Sequence, residues 1–208
     1  MKSLLSFVSM ILFLCSGTLA QTAYASDYKF IKKTGATSLY ERWIKGLRGE
    51  EVRELKAVLI VEASVDKIEQ LLKNPAAGTS WNTRASQYRI AATPQPHQWV
   101  NYIRYDMPAI MDDQDCCLLF TKKILADQVT ELSFRSTLAD VFPKTNGVKR
   151  ITGVKGKWRL EPLSKEKTKI TYTITSDKSG QIPRIISDPI IRDNLFSTMA
   201  NFKSLVEK

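Results

Sequence analysis

The sequence predicts an α+β fold in which a curved antiparallel β-sheet wraps around one long C-terminal α-helix. Three observations carry this expectation. Strand-like segments separated by short turns follow one another from Ser86 to Ser176. The last of these segments alternate apolar and polar residues, so the sheet has one wet face and one buried face. A long helical pattern then closes the chain, with Ile191, Leu195, Met199, Phe202 and Val206 at helical spacing. A sheet and a helix that each carry one apolar face bury them by packing together.

The chain of 208 residues opens Met1-Lys2-Ser3 and runs into an apolar stretch from Leu4 to Leu14. Small residues follow at Ser16, Gly17, Thr18 and Ala20. This charged, apolar, small-residue order is that of a secretory signal, covering residues 1–20, with cleavage as late as Ala25 equally fitting the small-x-small rule. A transmembrane anchor is the alternative, but the apolar run is about half of the roughly 20 residues a span needs. A lipidated Cys15 is discounted because Leu14 before it is too bulky. The expected address is outside the cytoplasm, periplasmic or extracellular, with residues 28–207 forming one domain.

Arg53–Val61 is rich in β-branched residues and reads as a strand. Ser64 caps a short helix whose Val65, Ile68, Leu71 and Leu72 share one face, and Asn74-Pro75 stops it. Tyr28–Ile44 is left as a lead-in. Further strands are expected at Gln87–Ala92, Gln98–Asp106, Asp115–Leu125, Gln128–Thr137, Lys149–Pro162 and Thr168–Ser176. In the penultimate strand Thr152, Val154, Trp158 and Leu160 point inward and Lys155, Lys157, Arg159 and Glu161 outward. In the last, Ile170, Tyr172 and Ile174 point inward and Thr171, Thr173 and Thr175 outward. Gly153 and Gly156 inside a strand pattern suggest a bulge or a close backbone approach. For the closing helix, Asp188 is expected as cap and Pro189 at the first helical position, with Ile182, Ile185 and Ile186 as an apolar lead-in.

Three segments resemble a START-type lipid-binding domain, the helix-grip fold of the START/Bet v 1-like superfamily, in an exported bacterial form. They are Trp81 after the early helix, Val148-Lys149-Arg150 with Gly156-Lys157-Trp158-Arg159-Leu160-Glu161-Pro162, and Thr168-Lys169-Ile170-Thr171-Tyr172 followed by Asp177-Lys178-Ser179-Gly180-Gln181-Ile182-Pro183. The likeness spans roughly residues 38–207. One departure is Gln114-Asp115, where the family often has Arg-Asp. Met107–Gln114 matches the family's lid loop, with Met107, Ile110 and Met111 as an apolar front and Asp112 and Asp113 as an acidic hinge. The resemblance implies a lipid or other apolar ligand held between sheet and closing helix, lined by Trp81, Tyr102, Phe120, Phe134, Arg150, Trp158, Tyr172, Phe196 and Met199. Ordinary core packing is the competing role for each. Arg150 needs either an acidic partner or a ligand headgroup.

Catalytic chemistry finds little support in the residues. The one histidine, His97, sits beside a turn rather than in a cleft. There is no HExxH, no Cys-x-x-Cys pair and no Gly-rich phosphate loop, so no cofactor or metal is expected. Asp112-Asp113-Gln114-Asp115 lacks the spaced oxygen ligands of a calcium loop. The adjacent Cys116 and Cys117 point to opposite strand faces and form no disulfide framework. Two alternatives to ligand binding stay open. One is a polyketide cyclase or hydrolase-like enzyme using Arg150, Tyr102 and Asp106; the other is a ligand-free protein-interaction module. The formal net charge of +10 directs attention to anionic membrane surfaces or acidic polymers rather than nucleic acid, with a merely solvated basic surface as the alternative.

Overall fold

In the computed structural model, the structure describes residues 27–46, 49–107, 109, 112–176 and 184–208, the last segment without the side chains of 184–187. The expected export signal, Ile110 and Met111 of the lid loop, the turn 177–183 and the side chains of Ile185 and Ile186 therefore lie outside the described residues.

Ten strands form one sheet: β1 (Lys29–Thr34), β2 (Thr37–Lys45), β3 (Glu51–Val61), β4 (Ala85–Ala92), β5 (Gln98–Tyr105), β6 (Gln114–Ile124), β7 (Thr130–Ser136), β8 (Lys149–Arg150), β9 (Val154–Ser164) and β10 (Lys167–Ser176). Their order is β1-β2-β3-β10-β9-β7-β6-β5-β4, antiparallel throughout, with the two-residue β8 added parallel to β6. Helices α1 (Val65–Leu72) and α2 (Pro75–Trp81) follow β3, and α3 (Arg184–Val206) closes the chain. The observed α+β architecture is thus the one expected. No described helix is long and apolar enough to cross a membrane.

Local chemistry explains the elements. Ser64 Oγ accepts from the Lys67 N–H at 3.3 Å and starts α1. Asn74-Pro75 does more than stop it. Asn74 Oδ1 accepts from Ala76 and Ala77 N–H, at 3.0 and 3.3 Å, and Pro75 takes the first helical position, so a second helix begins there. The lead-in to the first strand is itself a hairpin, β1–β2, turning at Gly35 with φ +56°.

The penultimate strand is split. At Gly153 the backbone adopts φ +76°, which ends pairing after Arg150 and restarts it at Val154. Thr152 falls in this break and is exposed instead of pointing inward. Gly156 marks the close approach: a Cβ there would lie 2.1 Å from the Thr173 carbonyl oxygen. Thr173 and Thr175 face outward as their parity demands, yet both are buried. Their cross-strand partners are long side chains, Lys56 and Lys157 for Thr173 and Glu54 and Lys155 for Thr175.

The closing helix begins at Arg184, and Pro189 lies inside it, so Asp188 is not its cap. As the sixth residue of the helix, Pro189 removes the one bond that an N–H there would give to the carbonyl four residues earlier. The Asp188 carboxylate binds Arg53 Nη1 at 3.0 Å. Leu195, Met199, Phe202 and Val206 are buried as expected, whereas Ile191 is 46% exposed. Helix α3 packs against β2, β3, α1 and α2.

Candidate functional site

The concave face of the sheet is built from alternate residues of each strand. Leu55, Ala57 and Leu59 of β3, Ile103 of β5, Cys116 and Leu118 of β6, Leu132 of β7, Leu160 of β9 and Ile170 of β10 belong to one apolar cluster. Seven of the nine expected lining residues join it: Trp81, Phe120, Phe134, Trp158 and Met199 buried, and Tyr172 and Phe196 partly buried. Their rings form a continuous chain. Phe120 and Phe134 have centroids 5.1 Å apart, Phe134 stacks on Tyr172 at 5.9 Å, and Tyr172 meets Trp158 at 4.7 Å. Trp158 and Trp81 both meet Phe202 of α3, at 5.0 and 5.2 Å.

The two halves of α3 are held differently. Its second half is wedged by Met199, Phe202 and Val206 into this cluster. Its first half is latched by charge. Arg192 donates to Glu41 Oε2 through Nε at 3.1 Å, Arg53 pairs with Asp188, and Lys32 pairs with Asp193 at 2.7 Å while lying over the Phe196 ring at 4.4 Å. Tyr105, Tyr172, Ile174 and Phe196 keep some open surface against the cluster. Val65 and Leu71 of α1 and Leu205 near the end of α3 are partly buried against the same cluster.

Tyr102 and Arg150 are placed elsewhere, on the convex face. There Tyr102 stacks on Phe142 at 5.2 Å within a small cluster with Val100 and Cys117. Strand β5 is buried on both faces, so burial alone does not reveal which parity faces the concave interior; Asn101 and Ile103 do, and Tyr102 does not. Arg150 cannot inherit the inward parity of Val154 because Gly153 breaks the strand between them. It instead grips Asp115 with two bonds, at 2.6 and 3.0 Å, and donates to the Phe142 and Pro143 carbonyls at 3.1 and 3.2 Å. The acidic partner, rather than a ligand headgroup, holds this guanidinium. The trio Arg150, Tyr102 and Asp106 considered for enzymatic chemistry is not gathered at the concave wall.

Polar groups on the concave wall that were not foreseen are Asn101, Tyr88, Tyr105 and Asn82. Tyr88 donates to the Leu72 carbonyl at 2.8 Å, Asn101 Nδ2 donates to the Tyr88 hydroxyl at 2.6 Å, and Asn82 Nδ2 donates to the Tyr105 hydroxyl at 3.3 Å. Asn101 was visible as the one amide among apolar and aromatic inward residues of β5. Burial pushes the Tyr172 phenol well above its ordinary pKa, and the nearby Tyr105, Cys116 and Tyr88 add to this. Burial likewise raises Tyr105 and drives the Cys116 thiol up to about 12. These groups stay protonated near neutrality, which suits hydrogen bonding and not proton abstraction. Cys116 and Cys117 are free and buried, on opposite faces as expected.

At the mouth, Asp113 ties down the loop that follows β5. Its Oδ2 accepts from Arg104 Nη2 at 2.9 Å and its Oδ1 from the Met107 N–H at 3.1 Å. The Arg104 hydrogen bond, followed by that of Met107, holds its carboxyl below the usual carboxylate pKa. An open depression over α1, lined by Asp66, Glu69, Gln70, Lys73, Asn74 and Pro75, lies outside the sheet–helix interface. Among the described residues no group of three or more His, Cys, Asp or Glu side chains is placed to hold a metal ion.

Comparison with known proteins places this geometry. No family model matches the chain. An uncharacterised protein of Pseudomonas aeruginosa is 24% identical over 191 residues, covering 91% of each chain. The solved STAR-related lipid transfer protein of Xanthomonas axonopodis superposes with TM-score 0.75 at 19% identity, over 87% of this chain and 99% of that one. Human StAR-related lipid transfer protein 5 gives TM-score 0.71 at 16% identity, over 86% of each chain. The Zhui aromatase/cyclase of Streptomyces sp. R1128 gives 0.51 at 13% identity, over 75% of this chain and 94% of that one. The fold common to these structures is the START-type helix grip.

Proposed function

We propose that this chain, which has the START-type helix-grip fold, holds one lipid or similar apolar molecule between the concave face of its sheet and α3. The observation that carries the reading is the incomplete cover over part of the apolar concave wall. Apolar and aromatic side chains at Tyr105, Tyr172, Ile174 and Phe196 face the interior yet are only partly covered. An apolar hollow lined mainly by aromatic and aliphatic groups, with few polar atoms, is what a small-molecule site needs. The names of the solved relatives, lipid transfer proteins among them, agree with it.

The reading is one of binding without covalent chemistry, because the inward polar groups are neutral and protonated. It extends to carriage of the ligand outside the cytoplasm, which the charged, apolar and small-residue order of residues 1–20 supports. The excess of basic residues would favour encounter with an anionic membrane surface.

Native mass spectrometry of protein purified from its own host tests the binding. The expected result is a second species heavier by one lipid mass, lost after solvent extraction and restored by adding the extract back. Protein of bare mass only, together with no restoration by the extract, would overturn the reading.

A further inference from the structure

The hydrogen-bond pattern on the concave wall restricts what kind of apolar molecule fits. The Tyr88 hydroxyl has one proton, given to the Leu72 carbonyl. It therefore accepts from Asn101, which forces the Asn101 NH₂ toward Tyr88 and turns its carbonyl oxygen away. That oxygen belongs to a residue 1% exposed and has no hydrogen-bond partner. Its cross-strand neighbours, Ile90 and Leu118, are apolar and offer none. A buried acceptor left in this state is costly and calls for a donor.

Other neutral donors lie on the same concave wall. The Tyr105 hydroxyl accepts from Asn82, which leaves its own proton free. No bond engages the Tyr172 hydroxyl among the described residues. Strands β5 and β10 are not neighbours in the sheet, yet Tyr105 and Tyr172 pack as partly buried members against one apolar cluster that includes Tyr88. Trp99 Nε1, on the same face of β5 as Asn101, is a further buried donor without a partner.

Every one of these groups is neutral. The buried or half-buried acidic and basic side chains that face inward are already paired: Glu41 with Arg192, Arg53 with Asp188, and Lys122 with Glu69 at 2.6 Å. A charged headgroup entering this wall would be desolvated with no free counter-charge among the described residues to meet it.

We propose that the wall formed by Asn101, Tyr105 and Tyr172 is a subsite for one uncharged polar group, selecting apolar molecules that end in a hydroxyl or carbonyl over those that carry a charge. This rests on the reading that the interior holds an apolar ligand. A hydroxyl can donate to the Asn101 oxygen while accepting from a tyrosine, which a hydrocarbon cannot do and an anion does only in part.

Displacement of diphenylhexatriene, an uncharged fluorescent hydrocarbon, separates the two readings. Hexadecanol, hexadecane and hexadecanoate compete at neutral pH against the unaltered protein. Hexadecanol should displace the probe at roughly tenfold lower concentration than either of the others, the worth of about one hydrogen bond. In Tyr172→Phe the hexadecanol and hexadecane concentrations that displace the probe should draw together, the two being compared within the variant so that any change in probe affinity cancels; Tyr105→Phe, read in the same way, provides a second variant. Equal displacement by hexadecanol and hexadecane, or preference for hexadecanoate, overturns the subsite and leaves the cavity standing. An unaltered protein that takes up no probe overturns both.

Discussion

Replacing Phe202 by alanine is expected to lower the free energy of unfolding by about 3–5 kcal/mol, read as a shift in a urea denaturation curve. Phe202 is fully buried. Its ring sits between Trp81 of α2 and Trp158 of β9, making edge and tilted contacts with both. Three rigid aromatic groups from three separate elements cannot collapse into the space a phenyl ring leaves, so the cavity persists and its cost adds to the lost burial. Ile191, on the same helix and 46% exposed, is the control: Ile191→Ala should change stability by no more than about 0.5 kcal/mol. Equal effects at the two positions would mean that α3 is not wedged into the sheet through its second half.

A comparably large loss is expected at the convex face. Asp115→Ala leaves the Arg150 guanidinium buried without a carboxylate, with the Phe142 and Pro143 carbonyls and the Tyr102 ring as its neighbours. The two side chains are 5% and 1% exposed, and stranding one member of such a pair costs about 3–5 kcal/mol. The destabilisation comes from the orphaned charge rather than from the lost attraction. The paired change Asp115→Leu with Arg150→Met should therefore recover most of it, because well-packed apolar replacements of a buried pair are often neutral. Thermal unfolding of the single and double variants decides this. A single variant as stable as the parent, or a double variant worse than the single, would contradict it. Ligand uptake by the double variant should be intact, since Arg150 and Tyr102 lie on the face away from the concave wall.

The architecture was legible because its signals are periodic. The alternation of Val154, Trp158 and Leu160 against lysines and arginines names both the buried face of β9 and the side on which α3 must lie. Leu195, Met199, Phe202 and Val206 do the same for the helix. What escaped had no period to show. The β1–β2 hairpin mixes aromatic and basic residues on both faces, and α2 is seven residues long, too short to display a stripe. The start of α3 was misjudged because an aspartate-proline pair reads as a helix opening, while Asp188 is recruited by Arg53 across the interface.

The site was legible in part for the same reason. Its aromatic members sit on strands or helices with clear parity, and they came together. Tyr102 and Arg150 did not, since β5 is buried on both faces and a glycine at positive φ cuts Arg150 off from the strand whose parity it was assigned. Asn101 and Tyr105 carry no such signal because their importance lies in which bonds they leave unmade, and that depends on the Leu72 carbonyl of α1 and the side-chain amide of Asn82 just after α2.

The central claim, that an apolar ligand lies between the concave sheet face and α3, is tested most directly by photolabelling. A hexadecanol bearing a diazirine on its chain is mixed with the protein at one equivalent, irradiated, and the adducts located by peptide mass spectrometry. Adducts on inward residues of β5, β10 and the first half of α3, at Tyr105, Tyr172, Ile174 or Phe196, are the predicted result. Labelling confined to the depression over α1 or to the convex face would contradict it.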